Sequence, residues 1–200
     1  GPDVAGAGPP GAKTPGAWPG GKLFGQGFVG SQDEAEALGL GRHDRGATVI
    51  RPYLIAREFT QSPQYRYVLD FLGFQPPEIK ASFPECYQWL IDRVKPERDQ
   101  NNREPYRKNW WLFGEPRKVF RNSLVGLRRQ IVTPETSKHR IVAFIPIETV
   151  AEGTLVVVAD DDAYTLGILS SRIHVTWALA AGGRMGVGND PRYNKTRCFE

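Results

Sequence analysis

The chain is poor in the residues that most site chemistries need. It has two cysteines (Cys86 and Cys198), three histidines (His43, His139 and His174) and one methionine in 200 residues. Two cysteines exclude a disulfide framework and a cysteine-rich zinc site. They read as the reduced thiols of a cytoplasmic protein. The histidines are scattered, with no partner at metal-ligand spacing. No apolar run approaches the roughly 18–20 residues that cross a bilayer, and no charged-then-apolar leader opens the chain, so no membrane partner is expected. No Ser–His–Asp or Cys–His set stands out either. From its residues the chain reads as a binding domain with no catalytic, cofactor or metal residues of its own.

Large apolar side chains are also scarce at the start. Gly and Pro supply 12 of the first 21 residues, a composition that cannot bury enough surface to offset its ordering entropy. Residues 1–21 therefore read as a linker or remnant, with Gly1-Pro2 as the scar of a cleaved tag, and the chain as a piece of something larger. Residues 22–200 are long enough for one domain with a real core.

Within that domain, residues 22–29 read as a strand, and Ser31 is placed to cap a short helix through Leu38. An extended segment broken by Pro52 spans 48–59, and a strand spans 66–71. Cys86, Trp89, Leu90 and Val94 recur at helical spacing after Pro84. A helix is expected over 116–124, then strands over 129–133, 140–145 and the β-branched run 155–159. Asp160 to Asp162 open a long helix to about Ala181, where three acids suit the helix dipole. Residues 184–194 form a Gly-rich loop. Helices and strands mix without βαβ alternation, so the expected class is α+β, a mixed sheet with packed helices.

Charge is concentrated. Residues 93–140 hold 13 Lys/Arg against five Asp/Glu, a net +8 in a protein of net +4. Interleaved with Tyr106, Trp110, Trp111 and Phe113, this is the footprint of a nucleic-acid surface. For Trp110-Trp111 a core role competes with a stacking role. Neighbours in a strand or helix cannot both face one way, so one ring is expected inside and the other exposed.

Three patterns match the letters of known motifs. Gly25-Gln-Gly27-Phe-Val-Gly30 lacks the preceding strand and following βαβ unit of a dinucleotide site. Asp70 with Glu78-Ile79-Lys80 mimics a metal-dependent nuclease, but Pro76-Pro77 put Glu78 at a helix entry. Asn189-Asp-Pro-Arg-Tyr193 is close to the loop with which adenine-N6 methyltransferases hold a flipped base, yet Arg192 replaces a proline and the nucleotide-binding sheet is lacking. His174 reads as a satisfied core histidine. Three functions remain open from the residues: sequence-specific DNA binding, a small metal-dependent hydrolase, and a basic nucleic-acid or protein interaction module without sequence specificity.

Several motifs occur in a familiar order: Pro52-Tyr-Leu-Ile-Ala-Arg-Glu-Phe59, Arg93-Val-Lys-Pro-Glu-Arg-Asp99, Trp110-Trp-Leu-Phe-Gly114, Ser137-Lys-His139 and Ser170-Ser-Arg-Ile-His-Val-Thr-Trp177. Asn189-Asp-Pro-Arg-Tyr193 and Cys198-Phe-Glu200 close the series. The series resembles the target-recognition region of MmeI-like enzymes, single-chain Type II restriction–modification proteins with an adenine-N6 methyltransferase core. The resemblance covers about residues 22–200. It implies a prokaryotic, cytoplasmic parent whose methyltransferase and nuclease domains lie in the same chain outside this region. The parent would use S-adenosylmethionine, and magnesium where the nuclease is active. This part would choose the double-stranded DNA sequence to be methylated.

Phosphate contacts would then set register and base contacts would carry sequence. The phosphate-binding candidates are Arg103, Arg107, Lys108, Arg117 and His139. The base-reading candidates are Arg184, Asn189, Arg192 and Lys195 in the last loop, with Lys138 and Arg140 after Thr136. The turn from Glu148 to Thr154 is a further candidate segment.

Overall fold

A computed structural model describes residues 16–41, 46–185 and 190–199. Asn189 and His43 lie outside the described residues, as do residues 1–15. The chain runs β1 (Ala17–Pro19), β2 (Val29–Gly30), α1 (Gln32–Ala37), α2 (Gly46–Val49), β3 (Ile50–Leu54), α3 (Ala56–Thr60) and β4 (Arg66–Leu69). It continues through α4 (Pro76–Ser82), α5 (Pro84–Arg93), α6 (Lys95–Asp99), α7 (Glu104–Lys108) and α8 (Lys118–Ser123). The second half comprises β5 (Arg129–Pro134), β6 (Ala143–Pro146), β7 (Val150–Ala151), β8 (Leu155–Val158), α9 (Ala163–Ser170), α10 (Arg172–Ala181), β9 (Arg184–Met185), β10 (Asp190–Pro191) and α11 (Lys195–Cys198).

Two four-stranded sheets result, ordered β1-β8-β5-β6 and β2-β4-β3-β7, with β9 and β10 forming a separate hairpin. The first sheet is wholly antiparallel; the second has one parallel pair, β3 with β7. This is the expected α+β class. The β-branched run of β8 is explained by burial on both faces. Val156 and Val158 join Ile131, Leu169, Ala178, Tyr193 and Cys198 on one side, whereas Leu155 and Val157 join Val132, Phe120 and Ile145 on the other. A third cluster fills the space between the second sheet and the helices α1, α4 and α5.

Local chemistry accounts for the helix starts. Ser31 Oγ accepts from Glu34 N, and Glu34 returns the bond by accepting from Ser31 N at 2.9 Å, a reciprocal cap. Proline occupies the first turn of α4, α5, α6 and α7, where its missing N–H has no helical partner to lose. The expected long helix from Asp160 is two helices. Ser171 stands extended at ψ 150 and accepts from His174 N, so its hydroxyl starts α10 rather than continuing α9. The acids of 160–162 have individual partners: Asp162 caps Tyr164 N, Asp160 accepts from Thr165 Oγ1, and Asp161 accepts from Arg128 N.

Four further expectations are corrected. Ala17–Pro19, within the stretch that composition assigns to linker, pair with β8 as an edge strand; Gly and Pro there are compatible with an edge, which needs fewer ladder bonds. Residues 22–29 make a single bridge (Lys22 to Glu115), a turn and a short 3-10 helix before β2, not a continuous strand. The strand expected from residue 140 begins at Ala143, because Arg140 is held by other groups. Trp110 and Trp111 are both buried. They lie in the turn after α7, where strand or helix alternation does not apply, and Trp111 Nε1 donates to Phe74 O at 2.8 Å.

Candidate nucleic-acid interface

The net +8 of residues 93–140 does not form one bare cationic face. Six of its cations are in ion pairs, and three of those pairs use acids from outside the segment: Arg93 with Glu34, Arg121 with Asp70 and Arg128 with Asp161. Lys95, Lys108 and Arg117 pair locally with Asp99, Glu104 and Glu115. Arg98 is only 1% exposed; its Nη2 donates to Leu23 O and Leu112 O, so this cation serves the core. Desolvation lowers its pKa from the ordinary value.

The phosphate candidates occupy separate places. Arg103, Arg107 and Lys108 are exposed around α7. Arg103 donates to Tyr106 Oη at 3.3 Å and Arg107 donates to Asn101 O. Tyr106 in turn stacks on Phe24 with ring centroids 5.7 Å apart. Arg117 sits at φ 48 in the left-handed region and lines a small cavity with Arg51 and Arg121. His139 is exposed beside Lys138.

The base-reading candidates, by contrast, gather. The β9–β10 hairpin rises from Gly182, the C-cap of α10. A Cβ on Gly182 would stand 1.9 Å from Arg192 O, so only glycine permits the hairpin root to close on the helix end. Arg192 N donates to Gly183 O, Tyr193 N to Glu135 O at 2.7 Å, and Ser137 N to Pro191 O. These bonds bring residues 135–137 alongside the last loop, with a bridge between Thr136 and Arg192.

Two of the candidates are engaged in building this junction. Arg192 donates through Nε and Nη2 to Glu135 Oε1. Arg140 turns inward: it donates to Thr133 Oγ1 at 3.0 Å, to Pro134 O and to Pro191 O, and its guanidinium lies 5.1 Å from the centre of the Tyr193 ring. Burial lowers the Arg140 pKa and, as the largest cause, raises that of the Tyr193 phenol. Of the other described candidates, Arg184 and Lys138 are exposed and Lys195 is half-buried at the start of α11.

Beside the junction lies a cleft of about 440 Å³. It is lined by Glu135, Thr136 and Met185 from the junction, by Glu152 and Thr154, and by Tyr53, Ile55, Ala56, Arg57, Arg66 and Gln26. Thr136, the Glu152–Thr154 turn and Met185 thus reach one opening, whereas Arg184, Arg192, Lys195, Lys138 and Arg140 lie near it without lining it. Glu152 is fixed by accepting from Thr154 N at 2.8 Å and from Thr154 Oγ1. Arg66 pairs with the buried Glu58 at 2.8 Å, while Arg57 bonds Gln61 at 3.3 Å and remains exposed. An opening lined by both donors and acceptors, including exposed Arg and half-buried Glu, suits the mixed pattern of base edges better than a uniform phosphate chain.

Charge counting misses Gln26, Arg57 and Arg66, which lie outside the basic segment. The signal for the second sheet's share was the Pro52–Phe59 motif: Tyr53, Ile55, Ala56 and Arg57 all come from it.

The hydrolase set is not assembled. Asp70 lies between Arg51 and Arg121, 3.1 Å from Arg51 Nη1. Glu78 accepts from Gln75 N at 2.7 Å in the cap of α4. Among the described residues no group of three His, Cys, Asp or Glu side chains could hold a metal ion.

Comparison with known proteins places the fold. Residues 21–200 match the family described as MmeI, target recognition domain, and the chain belongs to that family. A solved structure of the Type IIL restriction–modification enzyme MmeI in complex with DNA superposes with a TM-score of 0.67 at 18% identity, over 94% of this chain and 24% of that one. DNA methyltransferase A of Bacillus subtilis (strain 168) is 33% identical over 85 residues, which are 40% of this chain and 9% of that protein. The chain therefore spans a small part of each relative. Among the described residues no helix is long and apolar enough to cross a membrane.

Proposed function

We propose that this chain reads the double-stranded DNA target of a longer restriction–modification polypeptide, using the cleft beside the β9–β10 hairpin. The observation that supports it is the opening at which Thr136, Glu152, Thr154 and Met185 face Arg57 and Arg66, beside the base of the hairpin, in a member of a target-recognition family. Arg184, Lys138, Lys195 and Arg57 are the donors offered to base edges, with Glu152 as an acceptor, whereas Arg140 and Arg192 hold the reading loop in place. Asn189 remains a base-reading candidate outside the described residues. Arg103, Arg107, Lys108, Arg117 and His139 are the proposed phosphate contacts.

In this reading the methyl transfer, at adenine N6 with S-adenosylmethionine as donor, belongs to other domains of the polypeptide, as does any magnesium-dependent cleavage. The working compartment is the prokaryotic cytoplasm. Binding of the chain to one duplex across a salt series tests the phosphate part. Affinity should fall steeply with salt, and Arg107→Ala should reduce the log–log slope by about 1 while weakening all duplexes alike. Binding indifferent to salt would sink the proposal.

A further inference from the structure

Helices α9 and α10 meet at Ser171 and leave an apolar groove on the outside of the fold. Tyr164, Ile173 and Trp177 are 74%, 84% and 59% exposed. With Gly167, Ile168 and His174 they line about 600 Å³ of open space. Large apolar side chains bared together in this way mark a contact surface.

Charge identifies the kind of partner. From Ala163 to Ala181 the only Lys, Arg, Asp or Glu is Arg172, in a chain where 24% of residues are of those types. Phosphate binding needs cations, and none of the groove residues lines the cleft assigned to DNA. The partner surface is therefore apolar protein. A stable dimer buries ~800 Å² on each partner. Two helices about 12 and 15 Å long present on the order of 300 Å², too little for a free second copy. A covalently tethered neighbour needs far less area, because the tether supplies a high effective concentration. The solved chain with this fold is about four times as long as the part that superposes on it, which covers 24% of it.

We infer that the α9–α10 groove docks an apolar surface of another domain of the same polypeptide. This rests on the reading of the chain as one part of a longer enzyme. His174 lines the groove and its Nε2 lies 3.1 Å from Tyr193 Oη, so the docked domain would brace the base of the reading hairpin from behind.

Hydroxyl-radical footprinting, read by mass spectrometry without DNA, tests it on the complete polypeptide and on the 200-residue chain. Tyr164, Ile173 and Trp177 should be oxidised readily in the chain and several-fold less in the complete polypeptide, at every concentration. Trp177→Asp in the complete polypeptide should restore oxidation of Tyr164 and Ile173. Equal oxidation in both proteins would overturn the inference. So would protection that appears in the 200-residue chain as its concentration rises, which would identify a second copy as the partner. Loss of DNA binding by the chain carrying Trp177→Asp would also overturn it, since the face would then belong to DNA. Absence of sequence selection by the unaltered chain, with the footprint intact, would instead count against the recognition reading alone.

Discussion

Glu135 and Arg192 hold each other across the base of the last hairpin, with the guanidinium Nε and Nη2 at 2.9 and 2.6 Å from one carboxylate oxygen. The pair joins residues 57 apart and sits at the edge of the cleft. Both side chains keep some contact with water, Glu135 27% and Arg192 41% exposed, so screening limits what the pair adds to stability. Its value is positional.

Arg192→Ala should therefore cost no more than about 1 kcal/mol of unfolding free energy and still blunt discrimination between DNA sequences. Urea unfolding and competition binding separate the two effects. A large stability loss with discrimination intact would assign the pair to the core instead.

Arg184→Ala should act differently from Lys108→Ala. Loss of a bidentate base contact costs about 1–3 kcal/mol at one position of the target and relaxes preference there. The exposed Lys108 should weaken all duplexes equally. Position-by-position binding to single-base variants of the target distinguishes them.

Asp70 offers a test of the fold. It is 7% exposed and accepts from both Arg51 and Arg121; burial already lowers the Arg51 pKa. Asp70→Ala leaves two partly buried guanidinia without their counter-charge, and a loss of about 3 kcal/mol or more is expected. A midpoint in urea close to that of the unaltered chain would show that the arginines relax into solvent.

His174 should make stability depend on pH. Burial first, then the charge of Arg140, holds its pKa below the ordinary 6.5. Arg140 and the Tyr193 phenol are the groups it faces. Because the folded pKa is depressed, the unfolded chain takes up the proton first as pH falls. This contribution to stability is whole above about pH 6.5 and declines below it. His174→Gln should flatten that part of the profile, measured by thermal unfolding from about pH 8 to 5.

Gly182→Ala should loosen the hairpin root, since its Cβ would collide with Arg192 O. Overpacking of this kind costs roughly 1–3 kcal/mol. Hydrogen exchange should quicken at Arg192 N and Tyr193 N before it changes in β5.

Much of the fold was legible where chemistry is local. Ser31 as a cap, Pro84 at a helix start and the β-branched run of 155–159 each announce their element within a few residues. The split at Ser171 was legible only in part, because a serine inside an apolar helical stretch reads equally as helix or cap. The site was less legible. Arg140 was marked as a base-reading candidate by its charge, but its inward turn depends on Pro191, 51 residues away. The pairing of the +8 segment with Glu34, Asp70 and Asp161 is likewise long-range, and a charge count along the chain cannot register it. The Pro52–Phe59 motif marked the stretch that holds Arg57, but its place beside Thr136 and Met185 comes from long-range packing.

The measurement that tests the central claim most directly is selection of this chain on a randomised duplex pool, sequenced at two salt concentrations. Base reading by the hairpin cleft predicts an enriched motif that survives the higher salt and is degraded by Arg184→Ala or Arg57→Ala. Binding that enriches no sequence, or a motif untouched by both substitutions, would contradict it.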